Sequence, residues 1–445
     1  MDAKASQHGQ NGGLTDDGFI LEGVTLIDGT GRPPLADAVV VVRGGRIAHA
    51  GPEGAGEGEL SALVRHRLPG RTIVPGLIEA HTHASYDSDM LTYVRNGITT
   101  LRFAGLDERV VQDLKHRIGS GELIGPRILS CGPMIDAPPV AYPEWSVAVT
   151  DPVEAASVAE HLITETGVDA LILTQRVTAP LMRAVCAVAH AHDCRVLAQT
   201  WELDGAEAAQ LGIDELHNSS RVFHSCEYPK ERLLAYKSIA DRLALSGRGW
   251  ATIDWDATQT IIDTMIDAGV IYCGMHVITQ FQLDEGVDEL KADPHFISLF
   301  GETERSNFLA FISKLQGTWS PEDFAYWRIA NENRIEWMRR FRSGGGVLIF
   351  GTDMQFGGIM LHRELRNALA LGMTPLEVIA AATGGAARAM RLDDEIGTIS
   401  AGKRADFVVL NRDPSADLSA LRDIDSVFRD GRVLWSSSES PARAV

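Results

Sequence analysis

The chain is poor in the features that mark several protein classes. Its 445 residues include five cysteines (Cys131, Cys186, Cys194, Cys226 and Cys273), none in a Cys-x-x-Cys pair. So sparse and odd a set argues against a disulfide framework or a thiolate zinc site. No stretch approaches the roughly 20 consecutive apolar residues of a membrane helix. Positive charge is short: 41 Lys and Arg stand against 60 Asp and Glu, a formal net charge of −19. That balance speaks against nucleic acid and against anionic membranes as partners. Residues 1–17 are polar and Gly-rich, without the apolar core of a secretory leader, so a flexible tail and a cytoplasmic setting are expected. A second flexible tail is expected at 437–445. Lysine is absent between Lys115 and Lys230.

What remains is ordinary globular composition, 45% hydrophobic and 23% charged. The length suits a βα barrel of about 250 residues or more plus a smaller second unit. Phe19–Asp28, Ala38–Arg43 and Arg46–Ala50 read as strands, the last two joined by a hairpin turn at Gly44-Gly45. Phe407–Leu410 and Val427–Trp435 read as strands at the other end of the chain. Between them strand and helix patterns alternate, as a parallel α/β barrel requires. Barrel strands are expected at Leu77–His81, Thr99–Phe103, Arg127–Ser130, Ala170–Leu173, Arg195–Gln199, Glu215–His217, Val270–Cys273 and Val347–Phe350. Helices are expected at Pro152–Thr166, Ala179–Ala191 and Pro321–Arg342. The last opens with Ser320 as N-cap and Pro321 in the first turn, and Gly344-Gly345-Gly346 reads as its C-terminal stop.

The most informative stretch is Val74-Pro-Gly-Leu-Ile-Glu-Ala-His-Thr-His83. Pro75-Gly76 turns into a short apolar run that ends in two histidines one residue apart. Residues i and i+2 of a strand share a face, about 7 Å apart along the backbone, so His81 and His83 can hold one ion between them. Far down the chain, Val347-Leu-Ile-Phe350 leads into Gly351-Thr-Asp353, an aspartate at a strand end. Active sites of βα barrels form at those ends.

The Pro-Gly strand ending in His-Thr-His resembles the first barrel strand of the amidohydrolase superfamily of metal-dependent hydrolases, in its imidazolonepropionase and prolidase-like branch. Gly397-Thr-Ile-Ser-Ala-Gly-Lys-Arg-Ala-Asp-Phe-Val-Val-Leu410 resembles the C-terminal signature of the same superfamily. The resemblance implies a (β/α)8 TIM-like barrel over 71–394 and a small β-sandwich domain built from both chain ends, 18–70 plus 395–436. It also implies a metal site of His81, His83 and the eighth-strand Asp353, with Asp353 able to take a proton from the attacking water.

Three further positions of that site depart from the family pattern. Ile172 stands where relatives carry a bridging lysine, and the lysine gap leaves no register that restores one. Glu202 or Asp169 could replace it, and nothing in the sequence selects either. Gln199 aligns with the fifth-strand histidine and Asn218 with the sixth-strand histidine, His217 lying one residue earlier. His276, at the end of the seventh strand, is a candidate catalytic group. The expected cofactor is therefore one divalent ion, zinc ahead of iron or manganese, on His81, His83 and Asp353, with His217 as a further candidate ligand. Gln199, Trp201, Asn218 and Phe103 are candidate substrate contacts. Two aromatic-rich insertions, 221–257 and 281–326, are either helices packed on the barrel or a cover suited to a bulky aromatic substrate. The expected reaction is hydrolysis of a non-peptide C–N bond, an amide or lactam, in a small molecule. The lost ligands leave open a cyclase, isomerase, lyase or decarboxylase on the same barrel, or a non-catalytic binding protein. The superfamily resemblance also implies a homo-oligomer.

Overall fold

A computed structural model describes residues 18–52, 63–83, 86–354, 356 and 358–437. The expected tail 1–17, and all but the first residue of the tail 437–445, lie outside the described residues. Both ends of the chain enter one eight-stranded sheet. Its order is Arg432–Ser436, Ile424–Arg429, Phe407–Leu410, Thr72–Pro75, Phe19–Leu26, Leu35–Arg43, Arg46–Pro52, with Val64–Arg67 added beside Phe19–Leu26. Gly44 and Gly45 both take positive φ, 54° and 76°, which is what a two-residue hairpin turn demands. Inward-facing Phe19, Val40, Val42, Phe407 and Phe428 fill this sheet's own core, and the rings of Phe407 and Phe428 stack at 4.5 Å.

Thr72–Pro75 belongs to this sheet, and Leu77–Thr82 starts the next. Gly76 is the pivot between them. Its N–H donates to the Asp406 carbonyl at 3.0 Å, and a Cβ there would lie 2.0 Å from Thr99 Oγ1. The composite sheet therefore fixes where the histidine-bearing strand begins.

The rest is mixed α/β with parallel sheets. Leu77–Thr82, Ile98–Phe103 and Arg127–Ser130 form a three-stranded parallel sheet. Ser146–Ala148, Met134–Asp136, Ala170–Gln175, Arg195–Thr200, Glu215–His217, Ile271–Gly274 and Leu348–Phe350 form a seven-stranded one. All eight strands expected from the sequence are present, with ends shifted by no more than two residues. The strands Met134–Asp136 and Ser146–Ala148 are additional. Met134–Asp136 pairs with Ala170–Gln175 through Leu173 and Ile135, on the edge where the Arg127–Ser130 strand was expected. A few hydrogen bonds span the two seams. Asp169 N–H donates to the Ser130 carbonyl (2.8 Å), and Thr352 and Asp353 N–H both donate to the His81 carbonyl (3.0 and 2.9 Å).

Helices cover the outside. Ala179–Ala191 is as expected, Pro152–His161 continues as a π-helical turn over Leu162–Thr166, and Pro321–Ser343 runs one residue beyond its expected end. Ser320 caps that last helix through the Asp323 N–H, while Asp323 bonds back to the Ser320 N–H. The insertions fold as helices, among them Lys230–Leu233, Ile239–Ala251 and Glu302–Gln316. No helix among the described residues is long and apolar enough to cross a membrane.

Candidate active site

Leu77–Thr82 is buried along its whole length, as a strand covered on both faces must be. Its final turn brings His81 and His83 against Asp353. His81 Nε2 lies 3.3 Å from His83 Nε2 and 3.2 Å from Asp353 Oδ1, and His83 Nε2 lies 2.7 Å from the same oxygen. These are the three residues among those described whose ligand atoms gather as a metal-binding group, all within 4.8 Å of one another. Asp353 holds a left-handed backbone, φ 56°, a conformation that a non-glycine residue adopts at some cost and that concentrates at functional sites. Its N–H and that of Thr352 clamp the His81 carbonyl, so strand eight and strand one set the geometry together.

The electrostatics suit a cation. Burial pushes His81 down to about 3, so its ring is neutral and able to act as a ligand. Burial opposes ionisation of Asp353, but His81 and His83 hold the carboxyl far below the usual range. His83 Nδ1 is buried with no hydrogen-bond partner among the described residues. Two imidazole nitrogens and a carboxylate oxygen converge where protons cannot satisfy all three, and a divalent cation resolves that conflict. The donor set fits one such ion; N and O ligands of this kind suit zinc.

Behind the triad runs a buried polar chain. His81 Nδ1 lies 2.6 Å from His217 Nδ1, and His217 Nε2 lies 3.3 Å from Glu215 Oε2. Glu215 is gripped by Arg102 through Nη1–Oε1 (3.1 Å) and Nη2–Oε2 (2.6 Å). Burial resists the Glu215 charge, but Arg102 and His217 outweigh it and bring the carboxyl to about 2. Arg102 and Glu215 escaped the sequence reading. The available signal was a charged residue within each of two expected strands, Arg102 near the end of one and Glu215 at the start of the other.

In front of the triad opens a cavity of about 560 Å³, within the range of small-molecule sites. Gln199 and Asn218 line it, and Gln199 Nε2 reaches Asp353 Oδ2 at 3.5 Å. Trp145 stacks on His83 (5.5 Å, 15°) and Tyr142 on Trp145 (6.0 Å, 20°). Their loop is held by Asp136, whose carboxylate accepts from the N–H groups of Ala137, Ala141 and Arg176. The far wall comes from the insertions: Leu243, Phe300, Phe308, Phe311 and Ile312. Of the other expected contacts, Phe103 and Trp201 lie in the packed core and do not line the cavity; the Trp201 Nε1 donates to the Leu233 carbonyl. His276 is also buried away from it, with Nδ1 3.2 Å from Thr279 Oγ1, and burial and Arg334 push it down to about 3.

Parallel strands deliver a His-His-Asp donor set to the floor of a cavity, an arrangement that fits a divalent ion and the site of a hydrolase. The model of the amidohydrolase family matches residues 72–434, and the chain belongs to that family. It is similar to the 5-methylthioadenosine/S-adenosylhomocysteine deaminase of Symbiobacterium thermophilum, 23% identical over 94% of this chain and 93% of the relative. A shorter match, 43% identical over 58 residues, is to the imidazolonepropionase of Deinococcus radiodurans and covers 13% of this chain and 14% of that one. Among solved structures, a Xaa-Pro dipeptidase with bound methionine in its active site superposes with a TM-score of 0.68. It is 20% identical and covers 95% of this chain and all of the other, a likeness of fold. The chain is thus an amidohydrolase-family hydrolase acting on C–N bonds.

Proposed function

We propose that the protein hydrolyses a non-peptide C–N bond, an amide or lactam, of a small cytoplasmic molecule with a bulky apolar or aromatic part, using one divalent ion. The observation that carries this is the convergence of His81, His83 and Asp353 on one point at the floor of a largely apolar cavity. An ion bound there, zinc in this reading, would supply Lewis-acid polarisation of the scissile carbonyl and a more acidic water. Asp353 is the general base. Its Oδ1 faces both histidines, while Oδ2 meets only the Gln199 amide at the limit of hydrogen bonding, so Oδ2 is the oxygen available to take the proton of the attacking water. Gln199 steadies that oxygen, and Asn218 and Trp145 bound the space for substrate.

His217 is best placed to orient His81. Glu215 is ionised, so His217 donates to it from Nε2. His217 Nδ1 then accepts from His81 Nδ1–H, which leaves the His81 Nε2 lone pair facing His83 and Asp353. His276 supports the wall of the site from behind, through Thr279. The finer architecture proposed with this function is a closed (β/α)8 barrel over 71–394 beside a composite β-sandwich, 18–70 plus 395–436.

The test is metal analysis of the protein and of the His81→Ala/His83→Ala double variant, with amide and lactam turnover followed in ¹⁸O-water. One ion per chain, lost in the double variant, and one ¹⁸O in the product support the reading. Turnover without solvent oxygen in the product would move the reaction to a non-hydrolytic class, which the replacement of three family positions by Ile172, Gln199 and Asn218 favours as the second reading.

A further inference from the structure

The cavity is lined by two buried arginines with no carboxylate at ion-pair distance among the described residues. Arg242, on helix Ile239–Ala251, and Arg334, on helix Pro321–Ser343, both line it, and each is only 4% exposed. Among the described residues no carboxylate lies within 4.0 Å of either guanidinium, although most other arginines of the chain are paired. Arg334 donates to the Asn218 carbonyl at 2.9 Å and to its side-chain oxygen, and it rides over the Trp250 ring at 4.7 Å. Arg242 lies over the Trp201 ring at 5.8 Å. The Nε atoms of both are buried without a partner. Glu364 acts on Arg334 from beyond ion-pair distance, and its carboxylate accepts the Val277 N–H at 2.6 Å. Each arginine is close enough to act on the other.

Tyr272 and Tyr142 also hydrogen-bond Arg334 and Arg242 respectively, but neither supplies a negative charge; burying one guanidinium without a close counter-charge is costly, and burying two that repel is worse. Such an arrangement persists where a ligand supplies the missing charge. A guanidinium presents a planar fork of donors that matches a carboxylate. Besides Asp353 at its floor, the cavity is lined by two further carboxylates, Asp89 and Glu304, which act on one another, and none of the three favours an anion beside it. An anionic group is therefore directed to the arginines and the rest of the molecule to the apolar wall of Phe300, Phe308 and Phe311.

We infer that Arg242 and Arg334 form a carboxylate-binding subsite, so that the substrate is a bulky apolar amide or lactam bearing a free carboxylate. This substrate class rests on the hydrolase reading above, but the subsite itself does not. The test separates the two by measuring binding as well as turnover.

3-Phenylpropanoate and its neutral isostere 3-phenylpropanamide are titrated into the protein by calorimetry. The acid is expected to bind at least tenfold more tightly. Because a carboxylate can also bind a metal ion, the same pair is titrated into the metal-free His81→Ala/His83→Ala variant, where the preference should persist. Arg242→Gln and Arg334→Gln should each reduce the preference by about ten- to a hundredfold, the range for a lost charged hydrogen bond. Arg242→Lys and Arg334→Lys should restore part of it; circular dichroism and melting confirm that each variant is folded.

Equal affinity for acid and amide, or a preference that disappears with the histidines, would overturn the subsite. So would a preference untouched by folded arginine variants, or tighter binding of 2-phenylethylphosphonate than of the carboxylate. If the preference holds while no amide or lactam is turned over, the subsite stands and the hydrolase reading fails.

Discussion

Arg102 and Glu215, 113 positions apart in the sequence, face each other across the strands as a bidentate ion pair with side chains 2% and 0% exposed. Arg102 also donates from Nε to the Ala80 carbonyl at 3.0 Å, one residue before His81. The pair therefore grips the histidine strand by its backbone and, through His217, by its imidazole. Removing one member of a buried pair leaves the other charge uncompensated, at a cost of about 3–5 kcal/mol. Arg102→Met should show a destabilisation of that order in urea unfolding. Glu215→Gln should weaken metal binding by about 10–100-fold, the usual effect of losing a ligand's supporting acceptor. Competition with a chromogenic chelator measures this, and unchanged affinity would remove His217 from the orienting role.

Gly351 lies where strand eight passes closest to strand one. A Cβ there would sit 2.8 Å from the His81 backbone nitrogen, 2.9 Å from its Cβ and 3.1 Å from Cys273 Sγ. None of these atoms is the end of a flexible side chain. Gly351→Ala should thus push the strands apart, costing about 1–3 kcal/mol as overpacking does, and should displace His81 from Asp353. Its expected signature is a lowered melting temperature together with loss of bound metal. A variant that melts lower but keeps its metal would show that the clamp between the two strands is not needed for the site.

Asp89 yields a pH prediction. Burial raises its carboxyl to about 7; the Tyr86 N–H works against the rise and the nearby Glu304 adds to it. The unfolded value is near 3.9. The native state thus binds this proton more tightly than the unfolded chain, and the sign follows. Its stabilising effect is fully present below about pH 4, and is lost as pH rises through about 7. Asp89→Asn keeps an oxygen for the Tyr86 N–H and removes the titration. The variant should gain roughly 2–4 kcal/mol on the parent between pH 4 and pH 8. Urea unfolding of both proteins across that range checks it; parallel curves would place the carboxyl at its ordinary value.

The strands and the triad were legible in the sequence because each is written locally. Pro75-Gly76 followed by an apolar run and His-Thr-His, and Val347–Phe350 followed by Gly351-Thr-Asp353, state a strand and its chemistry within ten residues. The polar chain behind the triad was not legible, since Arg102 and Glu215 meet only through the stacking of strands. Trp145 reaches His83, with Tyr142 stacked on it, because the Met134–Asp136 and Ser146–Ala148 strands fold their loop inward, and three-residue strands are too short to show a period. Arg242 and Arg334 lie on amphipathic helices, where an arginine ordinarily reads as part of the solvated face. Phe103 shows the reverse: it follows Arg102, and strand alternation turns it into the core, while Trp201 stands two residues after Gln199 but beyond the end of the strand at Thr200, where its ring packs into the core.

The same alternation bears on how many ions the site takes. Ile172 is fully buried against Ala170, Leu197 and Cys131, on a strand whose lysine would be needed to bridge a second metal. The two carboxylates that were candidates to replace it are engaged elsewhere. Asp169 accepts from the Ser130 N–H (2.8 Å) and pairs with Lys115 (3.0 Å), and Glu202 faces Lys230 at 3.4 Å. Gln199 and Asn218 offer amide oxygens, weaker ligands than imidazole, and that of Asn218 already accepts from Arg334. A single three-donor group is therefore expected to bind one ion per chain and to stay at one when zinc is added in excess. Elemental analysis after gel filtration, with and without a tenfold excess of zinc, decides it. Two tightly held ions would mean that Asp169 or Glu202 leaves its present partner for a bridging position, and mutating each to the amide would show which.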